Sequence, residues 1–443
     1  MLGAVADDFT GATDLAMMLR ASGHRVVVAI EDAQLSPEQI ASVDAVVVAL
    51  KTRTAPVADA VARSRAAIER LQGWGATRFY VKYCSTFDST DRGNIGPALD
   101  AARKMLGAER CVVVPSLPAN GRRVRDGLLF VHEQLLEDSP MRHHPLTPMT
   151  RSRVTELLAP QTTGAVAEIH RSTILQGAGA LREALAAEPA PYIVLDTETD
   201  EDLATIGAAT ADDVLVSGGS GLALGIPGPT GGGDDWQAPA TGRRAVLCGS
   251  VSAQSLAQIS HASRTQPVHV IDVRAAAADP SAAAARILEW IDGLDEEAAP
   301  VVCAARTRED VLSPDELRSP SPAADAAHDD TASADGSAPV DSDDAPGTTD
   351  ALDPAAIVEA VIAGVAAGLV GSGRSSALIV AGGESSGAVV GALGASALRI
   401  GPEIAPGVCW SLASSGGRPV ALALKSGNFG GEDMFTTAWE VLA

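Results

Sequence analysis

The chain has 443 residues, of which 46% are hydrophobic, 20% charged and only 3% aromatic, and it carries a net charge of −23 at pH 7. That length fits two domains of roughly 200 residues each; the scarcity of aromatics argues against a stacking surface for nucleic acid, and the negative charge opposes non-specific binding to nucleic acid or an anionic membrane. The charge is uneven, because residues 310–353 hold twelve acids and one base, Arg318, so that this stretch carries −11 and the rest −12.

Residues 2–5 form a short apolar run of the kind that makes a buried strand, and 14–19 read as the start of an amphipathic helix. The turn between them, Asp7-Asp8-Phe9-Thr10-Gly11-Ala12-Thr13, is a strand-to-helix junction, and in a parallel α/β sheet such junctions are where ligands bind. One Asp or Thr would cap the helix, which leaves a second acid for chemistry; the capping and the functional readings of the pair weigh about equally here. Strand runs at 25–30, 44–50, 78–82, 111–115 and 192–196 alternate with helical patterns such as 57–72, which predicts βαβ units and a mostly parallel sheet. Lys51-Thr52-Arg53 closes the strand 44–50. Lys82-Tyr83-Cys84-Ser85-Thr86-Phe87-Asp88-Ser89-Thr90 closes 78–82 and runs into Gly93-Asn94-Ile95-Gly96-Pro97. Cations, hydroxyls and an Asn crowding strand ends beside glycines suit a polyhydroxylated anion, with Arg able to hold a carboxylate bidentately; for each residue singly, surface charge after a strand is the equal alternative. Pro118-Ala119-Asn120-Gly121-Arg122 and Met141-Arg142-His143-His144-Pro145 are further polar loops. Adjacent histidines do not readily ligate one metal from regular structure, so no metal site is assigned.

Residues 226–242 are dense in Gly and Pro and read as a linker between domains at 1–225 and 243–443. The second domain repeats the α/β pattern, with strands at 245–248, 268–273, 301–304, 377–381 and 420–424 and a helix at 255–263. Within it, 313–350 is rich in Asp, Ser, Pro and Ala with few large apolar residues, and is expected to be a disordered acidic insertion. Gly382-Gly383-Glu384-Ser385-Ser386-Gly387 joins the strand 377–381 to a helical pattern, as a loop that offers backbone amides to phosphate does. Lys425-Ser426-Gly427-Asn428-Phe429-Gly430 follows another strand with a cation, a hydroxyl and glycines. Neither a Walker loop nor the dinucleotide fingerprint is present. The five scattered cysteines lack a C-x-x-C pair, no cleavage-like leader precedes the first strand and no apolar run approaches a membrane span, so a reducing cytoplasm is the expected location. A homodimer is permitted by the sequence but not demanded by it.

Residues 6–14, 82–97, 382–387, Ile400-Gly401-Pro402-Glu403-Ile404-Ala405-Pro406-Gly407 and 422–430 together closely resemble the four-carbon acid sugar kinase family, and Lys82 to Thr90 with Met141 to Pro145 look most like its 3-oxo-tetronate 4-kinase branch. The resemblance implies two α/β domains, each with a mostly parallel sheet flanked by helices: an N-terminal sugar-acid domain and a C-terminal ATP domain, with a cleft between them. It carries ATP contacts onto Ser250, Gly382, Gly383, Glu384, Ser385 and Gly427. Ser385 stands where the family often has Thr, and Cys409 where Pro is common; the Gly/Pro linker and the acidic insertion are also departures. The expected reaction is ATP- and Mg²⁺-dependent phosphorylation of the terminal O4 hydroxyl of a four-carbon sugar acid, 3-oxo-tetronate foremost. From charge and position, Asp8 is the base or hydroxyl-orienting group and Asp7 its support or a route to the metal. Arg53 and Lys82 face the substrate carboxylate, and Ser85, Asn94 and Asn120 its hydroxyl or keto oxygens. Threonate or erythronate as substrate, and a catalytically silent nucleotide or sugar-acid sensor, are the rivals; a dehydrogenase lacks its glycine spacing.

Overall fold

The computed structural model describes residues 1–143, 147–229, 236–239, 242–318 and 353–442. Short runs rich in Val, Ala and Ile form the strands β1 Leu2–Ala6, β2 Val26–Ile30, β3 Ala45–Ala49, β4 Arg78–Lys82 and β5 Cys111–Val114. β1, β3 and β5 are buried along their whole length, as expected of strands with helices on both faces. A small antiparallel sheet follows, of β6 Arg122–Arg125, β7 Leu128–Val131 and β8 Gln134–Leu135; the first half closes with β9 Val166–Ile169, β10 Tyr192–Leu195 and β11 Leu215–Gly218. The second half contributes β12 Arg244–Cys248, β13 Val268–Val270, β14 Val301–Cys303, β15 Ala377–Ala381, β16 Ala397–Ala405, β17 Val408–Ser415 and β18 Arg418–Lys425.

Each half builds a mostly parallel sheet, and the two sheets are joined edge to edge. β16 pairs antiparallel with β2 through Ala397–Ala29, Leu398–Val28 and Arg399–Val27. The result is one 15-stranded sheet in the order β13-β14-β12-β15-β18-β17-β16-β2-β3-β1-β4-β11-β5-β10-β9. Chain direction reverses at β18–β17, β17–β16 and β16–β2, so the parallel strands of the two halves start out opposed. The loops after the two strand sets nonetheless approach one another, since Lys51, just after β3, has its Nζ 3.9 Å from the point where a β-carbon on Gly387 would sit, in the helix that follows β15. One core face is shared: Leu15 and Leu19 of the helix Phe9–Ala21 belong to the same buried cluster as Leu378, Val389 and Leu398.

Two expectations change. The helix Pro354–Gly371 is 18 residues long with a mean hydropathy of 1.9, so an apolar segment of membrane-spanning length does exist. It packs between the helices Pro280–Asp292 and Gly383–Ala392 and buries Ile357, Val361, Val365 and Leu369, which accounts for its composition as a core helix. The start of the expected disordered insertion is helical at Pro314–Arg318, where the Ser313 hydroxyl and amide bond to Glu316; residues 319–352 lie outside the described residues. So do 230–235 and 240–241 of the linker, and His144 and Pro145 of the Met141 loop.

Candidate functional site

The junction after β1 is held by a three-residue charge cluster. Asp8 is the N-cap of the helix Phe9–Ala21, and its Oδ1 accepts the Gly11 amide at 2.8 Å. Arg53 grips Asp7 bidentately, Nε to Oδ2 and Nη2 to Oδ1 at 2.9 Å each, and Nη2 also lies 2.9 Å from Asp8 Oδ1. Burial works against the Arg53 charge, but Asp7 and Asp8 outweigh it and hold the guanidinium more firmly protonated than usual. Asp8 also holds its proton more firmly than usual, which for a carboxyl favours the neutral form. Burial raises its carboxyl above the ordinary value and Asp7 adds to this, against the pull of Arg53, Lys82 and the Gly11 amide. Thus Oδ1 of Asp8 is engaged twice while Oδ2 has no hydrogen-bond partner among the described residues, and a raised proton affinity is what a proton acceptor needs.

Asp7, Arg53, Lys82 and Asn94 line one narrow cavity, together with Thr52, Asp88 and Ser89. Lys82, at the end of β4, is only 3% exposed and donates to the Tyr83 carbonyl at 3.0 Å, which leaves two ammonium protons for a ligand. Gly11 makes room for it: a β-carbon there would stand 2.3 Å from Asp8 Oδ1 and 3.0 Å from Lys82 Nζ. Asn94 spends its amide nitrogen on the Thr52, Arg53 and Ala55 carbonyls, at 2.6, 3.3 and 2.8 Å, and so pins the loop that carries Arg53. Its buried Oδ1 has no hydrogen-bond partner among the described residues and is available as an acceptor. Asp88 enters the cavity because Phe87, fully buried and stacked edge-on against Tyr83 at 5.2 Å, holds φ = +54°, a strained value for a side-chain-bearing residue. Asp8 is not among the residues that line this cavity and reaches it only through Arg53, which it shares with Asp7; Ser85 sits beside Gly219, and Asn120 is exposed in the turn Pro118–Asn120, and neither of these lines it. Asp88 and Ser89 are the residues that sequence reasoning passed over, although they stand in the same strand-end string as Lys82.

In the second half, Ser250, Gly382, Gly383, Glu384, Ser385 and Gly427 all line a single cavity of about 450 Å³, within the range of a small-molecule site. Three strand ends supply them: the turns after β12, β15 and β18. Gly382 precedes the helix Gly383–Ala392 with φ = +124°, open only to glycine. Gly249 and Gly427 stand close to serine hydroxyls: a β-carbon would lie 2.1 Å from Ser385 Oγ in one case and 2.5 Å from Ser250 Oγ in the other, so either substitution would make a cavity-lining hydroxyl shift. The Gly427 carbonyl is fixed by the Ser252 and Ser255 hydroxyls, at 2.7 and 3.0 Å, and by Lys425 Nζ at 3.0 Å. Lys425 is 2% exposed with no carboxylate partner among the described residues, and burial lowers its ammonium to about 8. The outer wall is apolar, from Val273, Val311, Leu312 and Val358, and Asp310, Asp353 and Glu359 add acceptors at its edge. Such a chamber suits a nucleotide, with the flat base against the apolar wall and phosphates at the helix N-terminus.

One cluster with metal-like spacing exists among the described residues, Asp126, His170 and Asp196. It serves the fold: the Asp196 carboxylate accepts the amides of Asp126, Gly127 and Arg171 at 3.0, 2.9 and 3.1 Å, and His170 Nδ1 lies 3.3 Å away.

Residues 2–226 match the family of sugar-binding N-terminal domains and residues 245–435 the family of nucleotide-binding C-terminal domains. Curated 3-oxo-tetronate kinases of Cupriavidus necator, Pseudomonas fluorescens and Salmonella typhimurium are 40%, 39% and 39% identical to this chain, over 99%, 100% and 99% of it and 96%, 97% and 98% of their own lengths. Crystal structures of proteins from Salmonella typhimurium LT2 and Haemophilus influenzae superpose with TM-scores of 0.83 and 0.81 at 37% and 35% identity, covering 99% and 100% of this chain and 98% and 100% of theirs. Both domain families are thus matched in order along the chain, and relatives that transfer phosphate to an alcohol align with it end to end. The chain belongs to the four-carbon acid sugar kinase family and is a kinase that uses ATP.

Proposed function

We propose that this kinase phosphorylates the O4 hydroxyl of 3-oxo-tetronate, giving 3-oxo-tetronate 4-phosphate, with the acid held by residues 1–225 and ATP by residues 243–443. The observation that carries the choice of substrate is the full-length similarity to several kinases named for that acid. The residue roles rest on geometry. Asp8, with Oδ2 free, receives the proton of the attacking hydroxyl, and Asp7 and Arg53 fix its orientation. Lys82 and the remaining Nη1 of Arg53 face the substrate carboxylate, and Asn94 Oδ1 accepts from a hydroxyl. The glycine loop 382–385, with Ser250 and Gly427, cradles the phosphates.

Mg²⁺ fits as an ion that arrives with the ATP phosphates, whose charge it neutralises. Asp7 and Asp8 are already paired with Arg53, whereas Glu384 offers a carboxylate at the mouth of the glycine loop, the hard oxygen donor that Mg²⁺ takes.

The reading is tested by ADP release with ATP and Mg²⁺ against 3-oxo-tetronate, D- and L-threonate, and D-erythronate. Turnover confined to the keto acid is the expected result. Turnover on a hydroxy acid alone moves the substrate while keeping the chemistry, and silence on all four acids favours a sensor.

A further inference from the structure

Lys51 follows β3 directly and stands two residues before Arg53, yet its side chain turns towards the other half of the molecule. Its Nζ lies 3.9 Å from the point where a β-carbon on Gly387 would sit. Gly387 belongs to the helix Gly383–Ala392, whose N-terminus is the nucleotide loop. Three carboxylates of the nucleotide cavity, Glu359, Glu384 and Asp353, share this neighbourhood. Burial, then Glu384 and Asp353, push the Glu359 carboxyl up, and Lys51 pulls it down.

Several other cations near the two sites are committed. Arg53 is bound to Asp7 and Asp8, and Arg63 to Glu31 and the Lys51 carbonyl; Lys82 and Lys425 are buried against backbone carbonyls. Lys51 is exposed and forms no ion pair among the described residues. Its carbonyl is held by Arg63 Nη1 at 3.0 Å, so the base of the side chain is anchored while the ammonium is free.

We propose that Lys51 is a catalytic residue that donates hydrogen bonds to the phosphoryl group in transit, linking the sugar-acid site to the nucleotide loop. The proposal rests on the kinase reading above. In the step it assists, the acceptor hydroxyl oxygen forms a bond to the γ-phosphorus. The bond from that phosphorus to the β,γ-bridging oxygen breaks, the electron pair leaves with ADP, and the hydroxyl proton passes to Asp8. Charge on the equatorial phosphoryl oxygens has to be met during transfer, and a lysine mounted on the acid-binding half reaches them only where the two halves meet. The bland alternative is a solvated surface charge at that seam.

The test uses wild type, Lys51→Met and Lys51→Arg in the full chain. For Lys51→Met, kcat falls on the order of 10²–10³-fold, as when a transition-state donor is removed, with KM for the acid within about threefold; Lys51→Arg restores part of the rate. A readout independent of turnover is calorimetric affinity for a β,γ-imido analogue of ATP against ADP. Wild type binds the analogue more tightly, and Lys51→Met loses that preference while its ADP affinity stays unchanged. A kcat within threefold of wild type, or an unchanged analogue-to-ADP ratio, overturns the proposal. If wild type turned over none of the four acids, the substrate reading would fail by itself, and the affinity ratio would still decide the role of Lys51.

Discussion

The two halves solve a similar problem with opposite chemistry. Each ends a strand of its parallel set in a buried lysine, Lys82 on β4 and Lys425 on β18, which donates to a carbonyl of the turn that follows. In the first half the turn is surrounded by charge: Asp7, Asp8 and Arg53 are paired to one another, and Asn94 ties down the loop that carries Arg53. In the second half the turns are glycine and serine, and closeness replaces charge, with serine hydroxyls packed against Gly249 and Gly427. A small acid with hydroxyls has to be oriented by directional, charged partners. A triphosphate is large and already highly charged, and is met well by amides, hydroxyls and a helix terminus.

The largest break in that comparison is Asp8→Asn. Asparagine caps a helix as well as aspartate does, so the fold is retained while the base is lost, and turnover falls on the order of 10²–10⁴-fold. Near-normal kcat with an unchanged pH profile would remove Asp8 from the base role.

Lys425 tests the uncharged half through pH. Its folded value, about 8, lies below the ordinary 10.5, so between these pH values the unfolded chain binds the proton and the native state does not. The stabilisation this provides is therefore full above 10.5 and is lost as pH falls through about 8. Between pH 10 and pH 7, wild type should lose about 2–3 kcal/mol relative to Lys425→Met in urea melts. Parallel profiles for the two proteins would show that burial does not disfavour the charge.

Much of this architecture is legible in the chain because its signals are local. The Val-rich runs that became β2 to β5 are too short for helices and are bounded by polar turns, and the six nucleotide-loop residues reach one cavity because each follows a strand of the same sheet. The strands β16 and β17 were hidden by Gly401-Pro402, which breaks the apolar run. In the structure the ladder shifts register between Ile400 and Glu403, and the bare Gly401 admits the Trp236 ring, which a β-carbon would approach to 2.4 Å. The charged strand β6 and the edge strand β9 have too little apolar alternation to read as strands. In the site, side-chain type was legible and direction was not. The Asn94 amide nitrogen serves the 52–55 loop and leaves only its Oδ1 over, while Ser85 lies beside Gly219 and Asn120 is exposed in a turn, placements that no local pattern encodes. The edge pairing of β16 with β2, which brings Lys51 to Gly387, depends on residues almost 370 positions apart.

The division of labour between the halves is tested most directly by initial rates of ADP release, with ATP and acid both varied, for wild type, Lys82→Met and Gly249→Ala. Loss of a charge-assisted hydrogen bond costs about 1.5–3 kcal/mol, so Lys82→Met raises KM for the acid by roughly 10–100-fold and leaves KM for ATP within about twofold. In Gly249→Ala the new methyl displaces Ser385 Oγ, which stands 2.1 Å from its position, and raises KM for ATP by about tenfold with KM for the acid unchanged. If the two variants moved both constants together, or moved the opposite ones, the assignment of acid to the charged half and nucleotide to the glycine half would be wrong.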